Sequence, residues 1–258
     1  MGENDAAQSP PELPGGPGQV WGPWATLGLS LLIGVGMTVA QVLVALVFAM
    51  DMAAHSPDPA ATEAWTASLP SNGHVLSLAI LAACPPVVAL TAGFIKWRGG
   101  LSVREYLGLR RVGVASLLAW LGATVALVAA TDLTSMALGR PVVPDFMRKA
   151  YDSAGFPPLL WLALVAAAPI AEEILFRGFL YRGLSASRLG AAGATVIASI
   201  LWALLHAEQY DILDIAWIFL FGLLLGWARH CSGSLYPCLG MHALANSIAT
   251  AEAALIGG

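Results

Sequence analysis

Hydrophobic residues along the chain gather into seven stretches, each separated from the next by a short polar segment. A helix needs roughly 20 residues to cross the hydrocarbon core of a bilayer, and most of these stretches reach that length. The pattern predicts an all-α fold, a polytopic transmembrane bundle of about seven helices. The stretches cover roughly residues 24–50, 74–97, 113–138, 158–180, 191–207, 212–229 and 235–256.

Composition strengthens the membrane prediction. Of 258 residues, 58% are hydrophobic and 11% are charged, whereas ordinary soluble domains have about 45–50% and about 25%. A soluble fold has too little interior to bury so much apolar surface. The small net charge of −4 gives no indication of a nucleic-acid partner. The lipid bilayer is therefore the expected environment, and the oligomeric state stays open.

Lys and Arg residues set the expected orientation, because the cytoplasmic loops of membrane proteins carry an excess of them. With a cytoplasmic N-terminus, nine of the twelve fall in cytoplasmic loops. Five lie in 96–111, which includes a pattern at 101–109 that predicts a short amphipathic helix at the membrane interface. We expect a multi-pass protein of a bacterial cytoplasmic membrane with its N-terminus inside. The polar, Pro- and Gly-rich residues 1–22 predict a disordered tail.

Ionisable side chains inside apolar helices cost about 2.5–3.5 kcal/mol each on insertion scales, so each one requires an explanation. The fourth stretch contains Glu172, Glu173 and Arg177. Glu173 and Arg177 are i,i+4 neighbours in the order that favours an ion pair, while Glu172 is rotated by about 100° and faces elsewhere. An acid in an apolar site beside a like charge suits a general base. Charge neutralisation at a helix end is the structural alternative.

Two further polar pairs lie on later helices. Trp202 and His206 share a helix face at i,i+4, so the indole could enclose the imidazole, although a lone histidine near a helix end is often structural. His242 and Asn246 repeat the spacing and could donate to one oxygen, or simply join two helices. Together the three groups supply a base, an orienting group and oxyanion donors, the parts needed to hydrolyse an amide.

The combination EEILFR, WALLH and HALAN resembles the signature of the CPBP family of intramembrane proteases, which includes type II CAAX prenyl endopeptidases. The resemblance covers about residues 155–250. It assigns 151–256 to a catalytic helical core and leaves 23–150 as N-terminal transmembrane helices with the interfacial segment. The second motif of the family usually carries Phe where this chain has Trp202. The larger ring should still form a wall of the site but should make the site narrower.

The resemblance implies an intramembrane endopeptidase that cleaves a peptide or membrane-protein substrate near the membrane surface, as in CAAX processing. Glu172 and His206 would activate a water, His242 and Asn246 would bind the oxyanion, and Glu173 with Arg177 would fix the geometry. The implied site consists of Glu172, Glu173, Arg177, His206, His242 and Asn246, with Trp202 and Phe176 as walls of the substrate pocket.

Other interpretations stay open. Zinc could be held by Glu172, His206 and His242, but the HExxH spacing is absent, and we expect no obligatory metal. A transporter could use the same residues as a proton relay. A non-catalytic membrane adaptor or a bacteriocin self-immunity protein would tolerate replacement of Glu172. In a bacterium the substrate could be a peptide pheromone, a bacteriocin precursor or the terminus of a membrane protein.

Helix lengths impose one condition on this site. If the fourth helix ended at residue 180, Glu172 and His206 would lie at different depths in the membrane. For the two side chains to meet, the helix must extend past residue 180 and carry Arg177 and Arg182 within the membrane, or the helices must tilt strongly.

Overall fold

The computed structural model describes residues 17–55 and 58–256, and every regular element in these ranges is helical. The prediction of an all-α bundle is confirmed. Apolar helices occupy all seven predicted stretches: α1 Pro23–His55, α3 Gly73–Arg98, α5 Val114–Ala137, α7 Pro157–Ser185, α8 Gly190–Leu204, α9 Ile212–Ser232 and α10 Tyr236–Ile256. Short helices lie between them: α2 Pro59–Ser68, α4 Val103–Leu107 and α6 Asp145–Asp152.

Five helices of the described ranges, α1, α3, α5, α7 and α9, are long and apolar enough to cross a membrane. Helix α8 is apolar but has only 15 residues, and α10 carries polar residues along its length. In α1 and α5 only 6% of the most apolar window is buried, whereas in α7 the share is 50%. Helix α7 is therefore central, while α1 and α5 turn apolar side chains outward, where lipid tails can solvate them.

Helix α7 departs from regular α-helical bonding in two π-helical segments, Ala163–Ala167 and Ile174–Leu180. At the end of the first segment, the N–H of Ala168 bonds to the carbonyl of Ala163, five residues back. The next residue, Pro169, has no N–H. The carbonyl of Leu164 therefore finds no donor five residues further along its own helix. The two segments flank Ala168–Glu173, the part of α7 that ends in the paired glutamates.

A short helix, α4, lies within the segment predicted to be interfacial. Ser102 caps it in a capping box, in which Glu105 in turn accepts a hydrogen bond from the backbone N–H of Ser102. The segment that follows holds the connection between α9 and α10. Arg110 donates through Nε to the carbonyl of Gly233 at 3.0 Å, and the N–H of Leu235 donates to the carbonyl of Gly108 at 3.0 Å. The interfacial segment thus fixes the start of α10, one of the motif-bearing helices.

The predicted disordered tail, 1–22, falls mostly outside the described residues, which begin at 17. Its last residues, 17–22, lie in the described part of the chain and contact α3. The indole N–H of Trp21 donates to the carbonyl of Phe94 at 3.1 Å, and Arg98 donates through Nε to the carbonyl of Val20 at 3.2 Å. Val20 is also buried in the apolar core. These contacts attach residues 20–21 to the C-terminal end of α3.

The depth condition is met by the length of α7, which runs to Ser185 rather than ending at residue 180. At 1.5 Å per residue, Glu172 lies about 20 Å from that end of the helix. Measured from Gly190, the last residue of α8 lies about 21 Å away, and His206 follows two residues later. The two side chains are therefore at similar depths, and both Arg177 and Arg182 are buried.

Candidate active site

Glu173, Arg177 and His242 form a fully desolvated ionic cluster between α7 and α10. Arg177 donates through its terminal nitrogen to Glu173 Oε1 at 3.0 Å, and His242 Nδ1 lies 2.8 Å from the same oxygen. Because a carboxylate only accepts hydrogen bonds, Nδ1 carries the proton in this contact. Glu173 and Arg177 are 0% exposed. The predicted i,i+4 pair is present, and it also orients an imidazole from another helix.

Glu172 has a different environment from its neighbour. Its side chain keeps 20% of its surface exposed, and His242 Nε2 lies 3.9 Å from its Oε2 atom. The same oxygen accepts a hydrogen bond of 2.6 Å from the indole N–H of Trp202. In the described ranges, no guanidinium or ammonium group pairs with Glu172. One glutamate is therefore locked by a cation, while the other is held by a neutral donor and remains accessible.

Trp202, in α8, contacts both α7, which carries the paired glutamates, and α10, which carries His242. Its ring centroid is 5.2 Å from that of His206 and 5.3 Å from that of His242, both edge-to-face. His206 Nδ1 lies 2.9 Å from the carbonyl of Trp202. A carbonyl only accepts, so His206 donates through Nδ1, and its Nε2 is left for another partner. Among the described residues, no hydrogen bond joins His206 to Glu172 directly.

Asn246 is positioned by the first π-helical segment of α7. Its Nδ2 donates to the carbonyl of Leu164 at 2.7 Å, the group that Pro169 leaves without a donor in its own helix. An amide nitrogen carries two hydrogens, so one remains for another acceptor. Asn246 and His242 lie one turn apart on the same face of α10, as predicted. The polar pair therefore serves a structural purpose and retains donor capacity.

Residues 154–248 match the family described as type II CAAX prenyl endopeptidase Rce1-like. An uncharacterized 24.3 kDa protein from Escherichia coli is 31% identical over 163 residues, which is 60% of this chain and 71% of that protein. No solved structure matches the chain.

The chain belongs to the CPBP family.

This membership, together with the apolar helices, makes the protein a CAAX-type intramembrane protease at the level of the family, and thus an integral membrane hydrolase. The matched range contains all three motifs that carried the resemblance. The structure brings together Glu172, Glu173, Arg177, Trp202 and His242 through direct contacts. His206 joins them through Trp202, and Asn246 lies a turn further along α10.

The two predicted pocket walls both lie in the main apolar core of this CPBP protein, but they differ in their contacts with the site. Trp202 is 3% exposed and lies inside the cluster of site residues. Phe176 is buried in the main apolar core with Leu175, Phe179 and their neighbours. No ring contact joins Phe176 to a motif histidine in the part of the chain described here. Its role as a pocket wall stays a prediction.

Tyr210 is a site residue that the sequence reasoning missed. It lies in the turn between α8 and α9, with its ring 6.2 Å from that of His206 and 5.5 Å from that of Phe146 in α6. Burial raises the pKa of the Tyr210 phenol, and the carboxylates of Asp214 and Glu172 raise it further. The phenol is therefore a neutral group beside the site. Its i,i+4 spacing from His206 is a signal that could have revealed it.

Helix α9 contributes further contacts that carry no sequence motif. Arg177 donates to the backbone carbonyl of Gly222 at 3.3 Å. Arg229, which is fully buried, donates through Nε to the carbonyl of Arg177 at 2.9 Å. Phe221 lies 6.2 Å from His242, ring to ring. A backbone acceptor and a distant arginine have no recognisable spacing to the EExxxR motif, so only the fold reveals them.

The arrangement does not form a ready metal centre. Within the described ranges, no group of three or more His, Cys, Asp or Glu side chains has a geometry that could hold a metal ion. His242 directs Nδ1 to Glu173, and His206 directs Nδ1 to a carbonyl. The three donors considered for zinc, Glu172, His206 and His242, do not converge on one point. We derive no catalytic step through a metal.

Proposed function

We propose that the protein is an endopeptidase that hydrolyses a peptide bond within the membrane through a water activated by glutamate and histidine. The single observation that carries this proposal is that the two adjacent glutamates differ in burial and in hydrogen-bond partners. Glu173 is fully buried and bonded to both Arg177 and His242. Glu172 is partly exposed and bonded to a neutral indole. A carboxylate that is not bonded to a guanidinium is the one better placed to take a proton.

Water activation would involve Glu172 and His206. Trp202 holds both, one through its indole N–H and the other through its backbone carbonyl. Because Glu172 and His206 do not bond to each other directly, a water could bind between their side chains. Glu172 would accept a proton as the water oxygen attacks the scissile carbonyl carbon. The same proton would then pass to the amine of the leaving peptide, so that the enzyme ends the cycle unchanged.

Oxyanion stabilisation would come from α10. To act as an oxyanion donor, His242 would need hydrogens on both ring nitrogens, because Nδ1 already donates to Glu173. In that form Nε2 of His242 is a donor, and Asn246 retains one N–H beyond the bond to Leu164. Two donors on one helix face could meet the negative charge that develops on the carbonyl oxygen. Glu173 and Arg177 would keep the imidazole in place.

The expected substrate is a peptide or membrane-protein segment with an apolar tail. Glu172 lies near the middle of α7, so the scissile bond must reach it from the lipid or from one membrane surface. We expect the protein in a bacterial cytoplasmic membrane with its N-terminus inside, and we expect no obligatory cofactor. A zinc-dependent reaction remains the alternative that a chelator would expose.

The test is mass spectrometry of peptides after incubation with the purified protein in detergent. Wild type is compared with Glu172→Gln and with Glu63→Gln, the same chemical change at an exposed position of α2. The panel contains a prenylated CAAX peptide and a library of peptides with hydrophobic tails, with and without chelator. We expect cleavage by wild type and Glu63→Gln, none by Glu172→Gln, and no effect of the chelator.

Two results would contradict the proposal. Equal cleavage by wild type and Glu172→Gln would show that Glu172 is not the base. Loss of cleavage in chelator, restored by added zinc, would replace the glutamate mechanism with a metal-dependent one. Thermal melts of all three proteins in detergent establish that they are folded. A folded wild type that cleaves no peptide in the panel would favour the adaptor or transporter interpretation.

A further inference from the structure

Trp202 was expected only to form a wall of the substrate pocket, yet it contacts four of the proposed site residues. Its indole N–H donates to Glu172 at 2.6 Å, and its carbonyl accepts from His206 at 2.9 Å. The guanidinium of Arg177 lies over its ring, 4.6 Å from the centroid. The edge-to-face contact with His242 completes the set. These contacts surround a ring that is 3% exposed.

We propose that Trp202 is a positioning residue for the hydrolytic reaction, whose indole N–H holds the carboxylate of Glu172 in the orientation required of the base. The inference rests on the proposed function, since it assumes that Glu172 is that base. It goes beyond the motif, because the Phe that usually occupies this position in the family has no hydrogen to donate. The N–H is a feature of this chain.

The chemistry of the donor explains why an indole suits the task. A carboxylate in an apolar region needs a donor, because leaving it without one costs free energy. A guanidinium would supply one and would also neutralise the charge, as Arg177 does for Glu173. The indole is a neutral donor. It fixes one oxygen of Glu172 and leaves the other oxygen and the negative charge available to a water.

The ring itself is held by the ionic cluster behind it. Glu173 fixes Arg177 through the 3.0 Å bond, and Arg177 lies over the indole face, where a desolvated cation–π contact stabilises the ring plane. The indole N–H in turn fixes Glu172. Through this series of contacts, Glu173 helps to position Glu172, although the two side chains face different directions.

A Trp202→Phe variant alone would not separate the hydrogen bond from packing, because it also removes buried ring volume. Benzothienylalanine, a tryptophan isostere with sulfur in place of the N–H, keeps the shape and removes the donor. We would incorporate it at position 202 and, as the matched control, at Trp227, an exposed residue of α9. Phe at both positions gives a second series.

Kinetics and spectroscopy provide two independent measurements. We expect the isostere at 202 to lower kcat by about 10- to 100-fold, the range for a lost hydrogen bond to a charged group, with KM and the melting temperature nearly unchanged. At 227 it should change none of these. Ultraviolet resonance Raman reports the hydrogen bond of the indole N–H. The Trp202 contribution, isolated as wild type minus Trp202→Phe, should shift in the Glu172→Leu background, because leucine has no acceptor for the indole N–H.

Each result decides a different question. Full kcat with the isostere at 202 would overturn the positioning role while leaving Glu172 as the base. An unshifted Trp202 Raman band in Glu172→Leu would overturn the hydrogen bond itself. If wild-type protein cleaves no peptide, the proposed function fails on its own, and the Raman measurement still decides whether Trp202 holds Glu172. An equal loss of kcat at 202 and 227 would indicate damage from incorporation and would also overturn the role.

Discussion

The bond between Asn246 and the carbonyl of Leu164 allows a sharp test of how a proline shapes this protein. Pro169 removes the N–H that would lie five residues after Leu164 in α7, and Asn246 supplies a donor from α10 instead. Replacing Asn246 with Leu, which has a similar size, leaves that buried carbonyl without a partner. Replacing Pro169 with Ala returns an N–H to α7. The two changes should therefore compensate.

The structure sets the expected magnitudes. An unsatisfied buried acceptor costs about 1–3 kcal/mol, whereas hydrogen bonds between membrane helices average about 0.6 kcal/mol with a maximum near 1.7 kcal/mol. We expect Asn246→Leu to lower the free energy of unfolding by about 1–2 kcal/mol when Pro169 is present. In the Pro169→Ala background the same change should cost less than about 0.5 kcal/mol. The coupling free energy is then about 1 kcal/mol.

The assay is unfolding by SDS titration in mixed micelles, applied to all four members of the double-mutant cycle. Ser247→Ala is the matched control, because Ser247 is the next residue and bonds to the carbonyl of Ala243 in its own helix. Its coupling to Pro169→Ala should be close to zero. An equal cost of Asn246→Leu in the wild-type and Pro169→Ala backgrounds would refute the idea that the proline creates the demand for the asparagine.

Two further predictions concern stability. A Cβ at Gly183 would lie 1.9 Å from Thr26 Oγ1, so Gly183→Ala should lower the free energy of unfolding by about 1–3 kcal/mol. Gly28→Ala, where nothing lies within 4 Å, should be neutral or stabilising in the same SDS titration, and equal losses would contradict the steric argument. Burial raises the pKa of the Tyr106 phenol to about 12, so between pH 10 and 12 the unfolded state binds fewer protons and stability falls, by up to about 2.7 kcal/mol. Tyr106→Phe should remove this contribution, so the stability of the variant should fall less steeply with pH than that of wild type, and parallel pH profiles of the two proteins would contradict it.

Much of the fold could be predicted from the sequence because membrane helices follow directly from apolar length. The predicted stretch 74–97 and the observed Gly73–Arg98 differ by one residue at each end. The EExxxR spacing predicted the ion pair of Glu173 with Arg177, since i,i+4 geometry is a local property of a helix. The predicted fourth stretch ends at residue 180, whereas α7 runs to Ser185, because Arg182 is buried within the bundle.

The remaining features depend on contacts between distant segments. The bond from Trp202 to Glu172 spans thirty positions of the chain, and no periodicity within one helix predicts it. Pro169 was visible in the sequence, yet a proline in a helix predicts an interruption without indicating which residue will satisfy the freed carbonyl. Tyr210 is near His206 in sequence, but its contact with Phe146 of α6 depends on the packing of distant segments. These features require the packed bundle.

The two π-helical segments of α7 determine whether the EExxxR motif can be transferred to another protein. Each inserts about one extra residue into the turn, which rotates every later side chain by roughly 100° relative to an ideal helix. A designer who copied residues 157–185 onto a regular α-helix would keep the sequence and misdirect the glutamates. A faithful graft needs the wide turns, the proline, and donors from the neighbouring helices. The geometry of the EExxxR motif therefore depends on α7, α8 and α10, although its sequence lies in α7 alone.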